Sequence, residues 1–182
     1  MHEDLLVGWL KENNLSAPLS ANTKYFKYVL ENCFNLKKDK EILIISDWGS
    51  HGKRVAPMIA GCYYLAAQKL GYAAKVIMQK QKTRGQQAEE SVIESLLKQK
   101  SHSMIILPLS NRPGKLSPKI GKSFRRFAIE KRHNFVSTTG LGDLETRDIS
   151  IIVKAIDVDY VKLKATARII KKSFDNGKEV QI

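Results

Sequence analysis

EILIISDWGSHGKRVAPMIAGCYYLAAQKLGYAAKVIM, residues 41–78, decides the fold. Its first six residues, EILIIS (41–46), are apolar and partly β-branched, which reads as a buried strand. Residues 54–70 then carry Val55, Met58, Ile59, Cys62, Leu65 and Ala66 at helical spacing, and the pattern stops at Gly71, where a left-handed cap is expected. AAKVIM (73–78) is a second strand. Two strands joined through a helix of this length pair parallel, with a right-handed crossover.

The same rhythm continues downstream. AEESVIESLLKQK (88–100) predicts a helix with Val92, Ile93, Leu96 and Leu97 on its apolar face, and SMIILPL (103–109) predicts a third strand. Residues 118–132 predict a basic helix with Ile120, Phe124, Phe127 and Ala128 turned inward, followed by a fourth strand, NFVSTT (134–139). LETRDISIIVKAI and VDYVKLKATARIIKKSF read as two consecutive helices, and KEVQI as a short final strand. Upstream, TKYFKYVLENCFN (23–35) is amphipathic, while residues 1–22 are expected as a loosely attached arm. The expected class is α/β: residues 23–182 form a single domain with an open, mainly parallel, Rossmann-like sheet of four to five strands and helices on both faces.

The turn SDWGSHGKR (46–54) sits where a strand hands over to a helix, the place where many α/β proteins cradle phosphate. A Walker-type loop needs GxxxxGK[ST], so that enough backbone N–H groups curl around the phosphates and a hydroxyl meets magnesium. Gly49-Ser50-His51-Gly52-Lys53-Arg54 is two residues too short and lacks the hydroxyl. GxGxxG is also missing here, and Gly140-Leu141-Gly142 after the fourth strand has Glu145 where the third glycine would stand. The turn is therefore expected to be structural, its glycines permitting a tight reversal. Asp47, Ser50, His51 and Lys53 remain candidates for contacting a ligand, and with Asn111 and Thr139 they mark the strand edges where a small-molecule site would lie. No HExxH or GxSxG occurs, so no catalytic or metal-binding residue is assigned.

The formal charge is +13 and unevenly spread. Residues 112–132 hold eight cations, Arg112 and Lys115 first, against Glu130 alone, and residues 69–84 hold five with no acid. Such clustering suits weak, nonspecific attraction of a polyanion such as nucleic acid, or a solvated lysine-rich surface. Arg112 and Lys115 join the ligand-contacting candidates. No apolar run is long enough to cross a bilayer, and the N-terminus carries acids where a signal peptide would carry positive charge. Cys33 and Cys62 form no CxxC pair, so reduced thiols in a cytoplasmic protein are expected.

The final third, TTGLGDLETRDISIIVKAIDVDYVKLKATARIIKKSFDNGKEVQI (138–182), resembles the end of the N-terminal domain of the aminopeptidase T family of thermophilic metallopeptidases. In that family a glycine turn leads to a short acidic helix, an Asp-Tyr-containing second helix, and a Lys/Glu-Val-x-Ile strand that opens the catalytic domain. Asp157, Asp159, Tyr160, Lys178, Glu179 and Val180 stand in those places. VLENCFNLKKDKEILIISD is similar to the family's opening helix and first strand, AAQKLGYAAKVIMQK to its next unit, and KLSPKIGKSFRRFA to its serine-containing stretch before the fourth strand. The resemblance covers roughly residues 24–182, and the order of the motifs carries it. It implies a non-catalytic domain that helps to enclose a substrate cavity or mediates self-association, inactive by itself. Its partner would be a second copy or a C-terminal catalytic domain, where glutamates, histidines and an aspartate hold two divalent metals. None of those ligands has a counterpart here, so no cofactor is expected in this chain. The alternative is a stand-alone basic α/β module that binds an anionic ligand or nucleic acid.

Overall fold

The computed structural model describes residues 2–34, 36–116 and 118–176. Two helices, α1 (His2–Glu12) and α2 (Ser16–Cys33), precede β1 (Glu41–Asp47), α3 (Val55–Lys69), β2 (Ala73–Gln79), α4 (Glu90–Lys98) and β3 (Met104–Pro108). Then come α5 (Phe124–Glu130), β4 (Asn134–Thr138), two short 3₁₀ turns at Leu141–Asp143 and Thr146–Asp148, α6 (Ile149–Ile156) and α7 (Tyr160–Asn176). All four strands run parallel in the order β2-β1-β3-β4, as the α/β reading expects. The expected strand at KEVQI lies outside the described residues.

The strands read as continuous apolar runs because both sheet faces are covered. Ile42, Ile44, Val76, Met78, Met104 and Ile106 face one core with α1, α2, α3 and α6. Leu43, Ile45, Ile77, Ile105 and Leu107 face the other, under α4 and α5. Side chains two apart along a strand share a face, which produces this division from an unbroken run. β4 is an edge strand and is only half-buried.

The described part of residues 1–22 is not a loose arm. α1 and the first turns of α2 pack over α3, and Leu6, Leu10, Leu15 and Leu19 are buried in the main core. Pro18 falls in the first turn of α2, where its missing N–H costs nothing, and Asn14 closes the preceding turn at φ 60°. The approach to α3 is close: a Cβ on Gly61 would stand 2.6 Å from Leu10 Cδ1 and 3.0 Å from Leu19 Cδ1. This cover explains why α3 is buried nearly all round rather than along one stripe.

Two further helices differ from expectation. Residues 118–132 are not one helix: Gly121 adopts φ 65°, and Ser123 caps a short α5 by accepting from Arg126 N. In α4, Leu97 is 55% exposed, so the apolar face consists of Val92, Ile93 and Leu96.

His133, the residue immediately before β4, is buried with its ring 5.8 Å from Phe127. Burial pushes its pKa below the ordinary value, with the positive charge of Lys131 and His102 adding to the effect. The unfolded chain then binds the proton more readily, so stability is lost as pH falls below about 6.5. His133→Phe should flatten the fall in urea midpoint between about pH 7.5 and pH 5. If α1 is part of the core, Leu10→Ala should cost about 2–5 kcal/mol in urea unfolding, whereas truncation of a loose arm would register less than about 0.5 kcal/mol.

Candidate functional site

In an open parallel sheet, ligands bind beyond the carboxyl ends of the strands, where neighbouring connections leave to opposite faces. Here that point lies between β1, which leads to α3 on one face, and β3, which leads to α5 on the other. Asp47 ends β1 at this position and is 1% exposed. Its Oδ2 accepts from Ser110 N at 2.8 Å, and its Oδ1 accepts from Ser110 Oγ at 2.6 Å and from Gly49 N at 2.9 Å. The crevice is thus closed by the chain's own bonds. Asp47 is a clamp between two strand ends, with no free face toward solvent.

The other residues of that turn do not converge on Asp47. Ser50 and Lys53 close a four-residue reversal through Lys53 N to Ser50 O (2.9 Å) and Ser50 N to Lys53 O (3.2 Å). Gly52 occupies the third position at φ 75°, the geometry of a type II turn. His51 and the Lys53 side chain project from this turn, exposed. Thr146 fastens the turn from behind: its N and Oγ1 donate to Gly52 O, and its Oγ1 accepts from Arg54 N. Gly49, at φ 66°, passes so close to the returning strand that a Cβ would lie 2.3 Å from Lys53 O. These bonds account for the glycines of SDWGSHGKR without any phosphate.

Gly142 has a similar explanation. Its N donates to Ser110 O at 2.7 Å, and a Cβ there would stand 2.8 Å from that oxygen. Thr139 and Asn111 are exposed beside it. Cys62 is buried, and burial pushes its thiol up to about 12, so it stays protonated and unreactive. Among the described residues no group of three or more His, Cys, Asp or Glu side chains is placed to hold a metal ion.

Arg112 and Lys115 do come together with other residues. The loops that follow β2 and β3 are zipped side by side: Arg112 N donates to Lys82 O (3.2 Å), Lys115 N to Gln86 O (2.8 Å) and Ala88 N to Lys115 O (2.9 Å). Gln79, buried at the end of β2, adds Nε2 to Pro113 O at 3.1 Å. Gly114, at φ 86°, has no room for a side chain, since a Cβ would meet Ala88 N at 2.5 Å. Between the loops opens a cleft of about 510 Å³ lined by Thr83, Arg84, Gln86, Arg112 and Lys115, together with Gly85, Pro113 and Gly114. Thr83, Arg84 and Gln86 are absent from the sequence-derived candidates. The signal was the acid-free run 69–84, but nothing in the pattern aligned it with residues 112–115.

The remaining basic segment is partly neutralised. Lys119 pairs with Glu90, Lys122 pairs with Glu130, and Arg126 reaches Glu130 at 3.2 Å. No helix among the described residues is long and apolar enough to cross a membrane. No protein-family model matches the chain, and no curated protein or solved structure matches it significantly.

If the 49–53 turn is structural, Gly49→Val should lower stability by about 1–3 kcal/mol or more, and Gly52→Val by about 1 kcal/mol from backbone strain alone. Lys53→Ala should leave the unfolding midpoint nearly unchanged. Loss of phosphate-dependent thermal protection in Lys53→Ala would instead identify the turn as an anion site.

Proposed function

We propose that the chain acts as a non-catalytic, N-terminal-type domain of an aminopeptidase T-like metallopeptidase, enclosing a substrate cavity or mediating self-association in the cytoplasm. The observation that carries this reading is the uncovered face of α7. Tyr160, Leu163, Ala167, Ile170 and Phe174 recur at alternating spacings of three and four residues, the pattern of a helix that seats against another element. Among the described residues α7 is held by the rest of the fold at its start: the rings of Tyr160 and Tyr28 are 5.5 Å apart, and Lys164 Nζ donates to Asn32 O. Beyond that, Leu163, Ile170 and Phe174 are 56%, 50% and 59% exposed. A contiguous apolar stripe of this kind marks a surface made to be covered.

In the sequence the stripe is followed by residues 178–182, the segment that resembles the strand opening the family's catalytic domain. A second domain, or a second copy, seated on α7 would bury these side chains. The closed Asp47 crevice supports the non-catalytic part of the proposal, since the usual site of α/β chemistry is filled by Ser110. The charge clusters favour weak, salt-sensitive attraction of polyanions as a secondary property.

Sequencing the reading frame beyond codon 182 tests the proposal. It should continue into a segment with glutamates, histidines and an aspartate that can bind two metals. A stop codon directly after Ile182 would overturn the domain reading. The purified chain alone, given zinc, cobalt or manganese, should release no amino acid from peptide substrates, and measurable turnover would refute its non-catalytic role.

A further inference from the structure

We propose that the cleft between the loops after β2 and β3 is a binding site for a small, multiply charged phosphate ligand. The inference is independent of the role assigned to α7. Arg84, Arg112 and Lys115 line the cleft, no carboxylate does, and none of the three has an acidic partner among the described residues. Their neighbours do: Lys82 reaches Glu89 at 3.3 Å, and Lys119 is held by Glu90. The available acids are therefore spent around the cleft and not in it. Three like charges gathered on one concavity raise one another's energy, and an anion relieves that repulsion.

The walls are set before any ligand arrives. Backbone bonds from Arg112 and Lys115 to the opposite loop fix the Cα positions of both cations, and Gly114 permits the contact that brings the loops together. Thr83 N donates to Gln86 Oε1 at 2.8 Å, which shapes the turn carrying Arg84. Because the scaffold is built from main chain, ordering on binding is confined to the side-chain ends.

The lining also selects the ligand class. Two guanidinium groups present planar forks that match phosphate oxygens, and an ammonium adds a point charge. Among the described residues no aromatic side chain lines the cleft, so none offers a platform for stacking a base. Recognition then falls on the anion itself. A volume of about 510 Å³ suits a small molecule rather than a duplex. The position, beyond the carboxyl ends of β2 and β3, is the edge where open α/β sheets receive ligands.

Calorimetric titration of the full chain with tripolyphosphate at about 150 mM salt tests the assignment, with inorganic phosphate and a single-stranded oligonucleotide in parallel. One tripolyphosphate should bind per chain, more tightly than phosphate, and should raise the thermal unfolding midpoint. Arg84→Ala and Arg112→Ala should each weaken binding about tenfold, as expected for loss of a charge-assisted hydrogen bond. Lys115→Glu should abolish binding, and circular dichroism should show all three variants folded, since their main-chain bonds remain. Arg125→Ala, outside the cleft, should bind as the parent does. Absence of binding at this salt concentration, or unchanged affinity in the arginine variants, would overturn the proposal. Tighter binding of the oligonucleotide than of tripolyphosphate would overturn the small-ligand assignment in favour of nucleic acid.

Discussion

The buried carboxyl of Asp47 organises the carboxyl edge of this sheet. It takes both the N–H and the hydroxyl of Ser110, so the ends of β1 and β3 are joined at the point where their connections part. A buried carboxyl is costly unless its oxygens are satisfied, and here three donors satisfy it. The consequences propagate around the edge. Ser110 O accepts from Gly142 N, the chain then turns to Thr146, and Thr146 fastens Gly52 and Arg54 at the entrance to α3. Three separate connections are locked to one another, two of them through this single acidic side chain.

That closure moves the functional question elsewhere. With the crevice between β1 and β3 filled, an open concavity at the same edge lies between the loops after β2 and β3. Its charge is unneutralised, whereas much of the nearby basic segment is paired with Glu90 and Glu130. At the far end of the chain, α7 leaves an apolar stripe exposed. The two surfaces differ in kind: the first is small, polar and rigid, suited to a compact anion. The second is long and apolar, suited to a domain or a second copy.

Several misreadings in the sequence have a common physical origin. Leu6 and Leu10 stand one helical turn apart, but in a terminal stretch broken by Asn13-Asn14 and Pro18 they and Leu15 read as weakly as an arm would. Their burial depends on α3 offering a second apolar side, which a one-stripe reading of α3 does not suggest. Leu97 fits the period of its helix yet is exposed, because α4 is short and rests on the sheet through Val92, Ile93 and Leu96. Gly121 interrupts a pattern whose apolar residues, Ile120, Phe124 and Phe127, would otherwise sustain one helix. Period alone does not reveal where backbone geometry breaks.

What the sequence determined by itself was the succession of strands and helices from α2 to α7 and the parallel pairing of the strands. Those follow from local periodicity and the handedness of crossovers, which act over a few residues at a time. It also marked Asp47, Arg112 and Lys115 as residues of interest, but not what each would touch. Tertiary structure decided that Asp47 is consumed by Ser110, 63 positions away, and that Arg112 and Lys115 share a cleft with Arg84. Those outcomes depend on strand order and loop register, and two loops far apart in the chain become neighbours only after the sheet between them has formed.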